Sequence, residues 1–169
     1  MVWTDPQTKG AGDGVTFEEY NEQIVDNLLF LYNNVRDYAY MQGNASLDSA
    51  TLNVSSVSYD RTSALSSGEF TASKDGVYEV RVIVDLIEFN GSPYTGTSTL
   101  SIQADTGSGF SDIRTVGSIT VGGTTSISNV VVIHPVSLDE GDKLRVYGAK
   151  SGANTGMDLT NAQALFLEV

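Results

Sequence analysis

From residue 47 onward apolar and polar residues alternate, and this alternation constrains the fold more than any other feature of the chain. A period of two is typical of strands that bury one face and expose the other. The clearest stretch has charged residues between apolar ones, and its predicted buried face is Tyr78, Val80, Val82, Val84 and Leu86. This segment is therefore predicted to be a strand packed against a second sheet.

Further strands are predicted wherever the alternation resumes between clusters of glycine, serine and threonine. They fall at residues 50–58, 67–72, 98–105, 113–121, 125–136, 143–149 and 162–169. Eight strands at this spacing predict an all-β fold, an antiparallel β-sandwich or jelly roll, rather than a parallel α/β protein.

One N-terminal α-helix is predicted before the strands. Thr16 and Glu19 form a capping box, and Gly43 with Asn44 provides an end. Apolar residues then recur at coiled-coil spacing, with Asn21 at one of the seam positions. The predicted oligomer or particle interface is this seam together with an anchor in the glycine-rich arm: Trp3, Phe17, Ile24, Leu28, Leu31, Val35 and Tyr38.

These patterns divide the chain into an arm plus helix at 1–45 and a head domain at 46–169. Trp3 is either a plug into a neighbouring subunit or a poorly ordered terminal residue. The helix either packs on its own head or serves self-association and docking to a larger assembly. We favour the second, because about 26 residues, or about 39 Å, is long for a lid on a small sandwich.

The composition limits the classes of partner that the protein is expected to bind. The formal charge is −12, from 21 acidic and 9 basic residues, and such a surface does not favour nucleic acid. The acidity fits either plain solubility or a high-salt habitat. Without cysteine, disulfides and thiolate chemistry are excluded. No apolar run is long enough to span a membrane and the first residues do not resemble a secretory signal, so we expect synthesis in a cytoplasm.

The sequence offers no constellation for catalysis, and we expect no enzyme activity and no cofactor. His134 is the only histidine and lacks companions for a metal site or a triad. Asp139, Glu140 and Asp142 form either a calcium site or, as we prefer, a solvated acidic turn. Glycosylation sequons occur at Asn44, Asn53 and Asn90, about as many as chance predicts in such a sequence.

Three segments resemble the C1q/TNF-like family. Residues 68–80 (Gly-Glu-Phe-Thr-Ala-Ser-Lys-Asp-Gly-Val-Tyr-Glu-Val) are similar to its phenylalanine, polar turn and Gly-x-Tyr strand, and residues 136–146 (Val-Ser-Leu-Asp-Glu-Gly-Asp-Lys-Leu-Arg-Val) to its Leu-x-x-Gly-Asp turn. The last residues, 164–169, are similar to its closing strand. Gly76 and Gly141 suit turns with positive φ, and Asp142 can accept hydrogen bonds from turn N–H groups. The glycine- and threonine-rich middle of the chain departs from the family's more aromatic strands.

The resemblance implies a jelly roll that forms a homotrimer, with the ends of the domain near each other at its base. A closed trimer would also cover the apolar faces of the helix.

The first 30 residues resemble the opening of small virion proteins of tailed viruses, where such a segment attaches the protein to the particle. The similarity lies in Trp3-Thr4-Asp5-Pro6, a glycine-rich turn, Thr16, Tyr20-Asn21 and Val25-Asp26-Asn27-Leu28. It implies a trimeric spike, fibre head or decoration subunit on the virion surface, on capsid or tail. Residues 1–43 would contact other virion proteins, and the head would be available for host attachment.

The alternative is a carbohydrate-binding module that recognises a cell-surface glycan. Sugar platforms present exposed aromatic rings, and the candidates are Tyr59, Tyr94, Phe110 and Tyr147.

Overall fold

The computed structural model describes residues 36–54, 57–60, 63–89, 96–120, 126–151 and 156–169. Asp37–Val169 forms one compact unit. The predicted arm and the predicted helix up to residue 35 lie outside the described residues.

Eleven strands make up the described part of the chain. In order they are β1 (Tyr38–Leu47), β2 (Ala50–Thr51), β3 (Val57–Asp60), β4 (Leu65–Ser66), β5 (Glu69–Thr71), β6 (Gly76–Phe89), β7 (Thr97–Asp105), β8 (Ser111–Thr120), β9 (Ser126–Leu138), β10 (Lys143–Lys150) and β11 (Met157–Glu168). The predicted all-β class is confirmed, and each of the predicted strands overlaps at least one of these elements.

The strands form two antiparallel sheets. The first sheet has the order β3-β1-β11-β6-β9, and the second has the order β4-β5-β10-β7-β8, with β2 added beside β10. Because β6, β9 and β11 each follow a strand of the second sheet, the chain crosses repeatedly between the layers. This topology is a jelly roll.

The core between the sheets is apolar and built around aromatic rings. Phe70 of the second sheet stacks on Phe166 of the first, with ring centroids 5.2 Å apart, and meets Tyr78 edge-on at 5.6 Å. All three side chains are fully buried. Rings in these arrangements gain energy beyond the apolar area that they bury, so this trio fixes how the two sheets face each other.

The end of the predicted helix is wrong, because residues 38–47 form strand β1. Ala39 and Met41 face the core opposite Phe166 and Ala164 of β11. Tyr38 therefore follows the period of a strand and not that of a coiled-coil seam. Pairing with a central strand overrides the local helical pattern, and the head begins at Asp37 rather than at residue 46.

The buried face of β6 also departs from the prediction. Core residues follow every second position up to Val84, but the next one is Ile87, and Leu86 is only half-buried. The neighbouring strands make the same three-residue step, from Leu159 to Ala162 in β11 and from Ile127 to Val130 in β9. Asn161 and Asn129 lie within these steps with φ of 49° and 55°, while the registers to β6 stay constant.

The turn glycines agree with the prediction at one position of two. Gly141 has a φ of 92°, and the Asp142 carboxylate accepts a hydrogen bond from the Asp139 N–H at 3.0 Å, as predicted. Gly76 does not have positive φ, because it already belongs to strand β6. In that segment the left-handed residue is Gly68, with φ of 80°.

Candidate self-association surface

The outward face of the first sheet carries rows of apolar side chains. Strand register places one residue from each of β1, β11, β6 and β9 side by side, and alternate rows point away from the core. The outward rows are Tyr38-Leu167-Glu79-Pro135, then Tyr40-Leu165-Arg81-Ile133, then Gln42-Gln163-Ile83-Val131. We name their apolar members the apolar face: Tyr38, Tyr40, Ile83, Val131, Ile133, Pro135, Leu165 and Leu167.

The strand β9 side of the apolar face is the most exposed. Val131 is 61% exposed and Ile133 is 53% exposed, and Val77 at the base of β6 is 43% exposed. Single exposed apolar residues are ordinary on protein surfaces. Here two of them, Val131 and Ile133, are neighbours on one face of one strand. The row of Ile133 also contains half-buried Tyr40 and Leu165, and the row of Val131 contains half-buried Ile83, which is a pattern of interaction surfaces.

Four of the polar side chains within these rows are already paired within the sheet: Glu79, Arg81, Tyr40 and Gln42. Arg81 forms an ion pair with Glu79 on the same strand. The Tyr40 hydroxyl donates to Gln42 Oε1 at 2.6 Å. A partner could therefore cover this surface without leaving these groups unpaired, which would otherwise cost about 1–3 kcal/mol each.

The apolar face is bounded by a group of amide side chains and one carboxylate. This polar group lies at the level where β11, β6 and β9 each have a three-residue interval between core residues. Asn161 is its centre: its N–H donates to Asn44 Oδ1 at 2.8 Å, its Nδ2 donates to Asp85 Oδ2 at 2.8 Å, and its Oδ1 accepts from Gln42 Nε2 at 2.6 Å. The pairs on either side place Asn129 opposite Asp85. This polar group separates the apolar face from the acidic part of the sheet that contains Glu88 and Asp158.

Strand β9 lies at the edge of the first sheet. It has 13 residues, and within the described ranges it pairs with β6 alone. Long exposed edges invite pairing with other chains, and a proline on the edge limits this. Pro135 has that position in β9, so the geometry favours contact through the face over continuation of the sheet.

A buried carboxylate stabilises the part of the head where β1 begins and β11 ends, which we call the base of the head. Asp37 is fully buried, and its side chain accepts hydrogen bonds from the Ser73 N–H and hydroxyl at 2.8 Å each and from the Tyr78 hydroxyl at 2.9 Å. The Glu168 N–H donates to the Asp37 carbonyl at 3.0 Å. The start of β1 and the end of β11 therefore lie next to each other.

Tyr78 ionises with difficulty in this setting. Burial raises the pKa of its phenol well above the ordinary 10.0, and the hydrogen bond to the Asp37 carboxylate and the negative charges of Asp37 and Glu168 raise it further. The hydroxyl is also 2.9 Å from the Lys74 carbonyl oxygen, and its single proton can serve only one acceptor at a time.

Tyr38 is the only predicted interface residue in the described part of the chain. It lies on the apolar face beside Leu167, in a strand and not in a helix. The other predicted interface residues, Trp3, Phe17, Ile24, Leu28, Leu31 and Val35, lie outside the described residues.

Sequence reasoning missed Val131 and Ile133 as surface residues. The run Val130-Val131-Val132-Ile133 is apolar on both faces, and such a run is typical of a strand covered on both sides. That signal was present, and it indicates a second covering layer for β9.

His134 lies in β9 opposite Val80, half-buried. In the acidic turn the Glu140 N–H donates to Asp75 Oδ1 at 2.8 Å, so the local carboxylates bind backbone groups. Phe110 and Tyr147 both lie against Arg145 on the second sheet, whereas Tyr94 and the side chain of Tyr59 lie outside the description.

The described ranges contain neither a metal-binding cluster nor a membrane-spanning helix. No group of three or more His, Asp or Glu side chains in these ranges could hold a metal ion. In the same ranges no helix is long and apolar enough to cross a membrane.

Fold and strand order together define a jelly roll, and this jelly roll is similar in fold to solved structures of C1q and TNF domains. The globular domain of zebrafish complement 1qA protein has a TM-score of 0.53 and 14% identity, covering 79% of this chain and 95% of that one. Eiger TNF from S. frugiperda has a TM-score of 0.53 and 13% identity, covering 79% and 92%. Murine APRIL has a TM-score of 0.50 and 11% identity, covering 80% and 100%.

The predicted C1q/TNF-like fold is thus confirmed. No protein-family model matches the sequence, and no curated protein does. These likenesses concern the fold, and the predicted similarity of the first 30 residues to virion proteins has no counterpart among them.

Proposed function

We propose that the protein is a non-enzymatic structural protein whose jelly-roll head assembles into a homotrimer through the apolar face. The observation that carries the proposal is the exposure of Val131 and Ile133 on the outward side of the first sheet, beside the other members of the apolar face. The confirmed fold supports it, because the resemblance to the C1q/TNF-like family implies three copies around one axis.

A ring fits this surface better than a two-fold dimer. The exposed part lies at one side, on edge strand β9, and the half-buried part lies across β11 and β1. Placing the β9 edge of one copy against the β11 and β1 side of the next makes a head-to-tail contact, and such a contact closes as a ring when the rotation between copies is a third of a turn. In a ring every copy covers its neighbour's apolar face, and no edge is left open.

The test is the mass of the purified protein in solution. We expect three times the 18.0 kDa of one chain. The double variant Val131→Lys and Ile133→Lys buries two charges in the contact and is expected to be monomeric with its secondary structure unchanged. The control Thr115→Lys places one charge on exposed strand β8 of the second sheet and should remain trimeric. A wild-type monomer, or a double variant that still forms trimers, would contradict the proposal.

We further propose that the trimer is a virion component, with residues before Asp37 attaching it to capsid or tail and the head facing solvent. The support is the similarity of the N-terminal segment to particle-attachment segments and the seam from Phe17 to Val35. A chain that lacks residues 1–36 is expected to form the head but to be absent from purified particles. Undiminished incorporation of this chain would exclude the attachment role.

A further inference from the structure

The second sheet carries a cluster of aromatic and charged side chains on its outward face, away from the apolar face. Arg145 projects from β10, and its guanidinium carbon lies 3.7 Å from the centre of the Phe110 ring and 4.5 Å from the centre of the Tyr147 ring. The Arg145 side chain is only 19% exposed although its strand faces solvent. Contacts between a guanidinium and aromatic faces are favourable and hold the cation in place.

The cluster is rigidly built. Asp105 Oδ1 accepts hydrogen bonds from the N–H groups of Gly107 and Gly109, at 2.9 and 2.8 Å, and so folds the hairpin tip that positions Phe110. On the other side Gln103 is fixed by Asp112, whose Oδ1 accepts from Gln103 Nε2 at 2.8 Å. The side-chain oxygen Oε1 of Gln103 then accepts from Arg145 Nε at 2.8 Å.

Some N–H groups of the Arg145 guanidinium have only weak acceptors, or none, among the described residues. Its Nη1 has two acceptors, Thr51 Oγ1 and Glu69 Oε1, both at 3.4 Å and therefore weak. No residue of the described ranges accepts a hydrogen bond from Nη2. A half-buried arginine with unused N–H groups beside two half-buried rings is suited to a carboxylate that is attached to a flat, partly apolar body.

The negative charges around the cluster determine which kinds of anion can bind to Arg145. Glu69 forms an ion pair with Arg145 and the chain carries a net charge of −12, so repulsion is strongest for anions with many charges, such as a polyphosphate or nucleic acid, and weakest for an anion with one. A sugar ring with one carboxylate has a single negative charge for Arg145 and an apolar face for the parts of the two rings that Arg145 does not cover. Its hydroxyls can bond to Thr51, Glu69 and Gln103.

We propose that the Phe110–Arg145–Tyr147 cluster binds a pyranose that carries a carboxylate. The site lies on the sheet opposite the apolar face and does not depend on self-association. It uses two of the four aromatic residues that sequence reasoning selected for glycan binding.

The probes are the methyl glycosides of glucuronic acid and of N-acetylneuraminic acid, with methyl glucoside as the neutral control, titrated against the full chain by ligand-observed NMR. We expect at least one acidic sugar to bind with an affinity in the millimolar range and the neutral sugar to bind at least about tenfold more weakly. The acidic sugar that binds identifies the source of the carboxylate.

Variants separate recognition from stability. Arg145→Lys keeps the charge but not the planar fork, and should weaken binding by about tenfold. Phe110→Ala, at the hairpin tip, should weaken it by about fivefold, since stacking on a ring is lost. The matched control Arg36→Lys changes an exposed arginine before β1 and should bind as wild type.

Three results would overturn the site: no binding of either acidic sugar, equal binding of the neutral sugar, or wild-type affinity in both cluster variants.

Discussion

At the scale of single residues, the fold depends on a few positions where the backbone leaves no room for a side chain. Gly68 has positive φ, and a methyl group added there would lie 2.1 Å from the Leu52 carbonyl oxygen. Gly141 has a similar φ of 92°, but nothing lies within 4 Å of an added methyl group. The two glycines thus differ in crowding and share their backbone conformation.

This pair gives a stability prediction. Gly141→Ala is expected to cost about 1 kcal/mol, the strain of a left-handed alanine. Gly68→Ala adds a clash with backbone and should cost at least about 3 kcal/mol. Chemical denaturation of both variants measures the difference. Equal losses would show that conformation alone makes Gly68 necessary.

Tyr78 gives a pH prediction. Because its pKa is raised in the folded head, the unfolded chain releases the phenolic proton first as the pH rises past about 10. The stability that the protonated phenol contributes is therefore complete below that pH and declines above it. We expect the Tyr78→Phe variant to be about 1.5–3 kcal/mol less stable at neutral pH, because the hydrogen bond to the Asp37 carboxylate is lost.

The expected signature is a smaller alkaline decline in Tyr78→Phe than in wild type, measured as melting temperature from about pH 8 to about pH 11. Tyr147→Phe removes a hydroxyl from the second sheet and serves as the control. If wild type and Tyr78→Phe declined in parallel, the buried phenol would not be the group responsible.

At the scale of elements, strand β1 shows what local patterns can and cannot predict. Its buried residues Ala39 and Met41 have the two-residue spacing of a strand. The preceding seam residues, up to Val35, have helical spacing, so periodicity alone does not show where the helical pattern ends and the strand begins. Only pairing with β11, more than 100 positions later in the chain, determines the strand, and such long-range pairing is invisible to local periodicity.

Truncation tests this boundary. Removal of residues 1–36 leaves all of β1 and is expected to give a folded head, whereas removal of residues 1–43 deletes the Asp37 network and six of the ten residues of β1. The shorter chain should lose cooperative thermal unfolding as followed by circular dichroism. Two truncations of equal stability would place the head boundary at residue 46 after all.

At the scale of the whole molecule, the all-β fold class and the approximate positions of the strands could be predicted from the sequence, because one face of most strands is uniformly apolar. The turn at Gly141 and Asp142 could also be predicted, since its chemistry is local. The apolar face could not, because it needs the register of four strands to bring Tyr38, Leu165 and Ile133 together. The cluster at Arg145 has the same origin, as its members come from β10 and the β7–β8 hairpin.

The shared step in β11, β6 and β9 links the lengths of three strands that are far apart in sequence. Each strand contains one extra residue at the same row, so the registers between them remain intact. An insertion or deletion in one strand alone would shift it against its neighbours and exchange its core and surface sides. Over evolutionary time, residues at these three places should therefore be gained or lost together, and correlated gaps among relatives would mark them as one inherited unit.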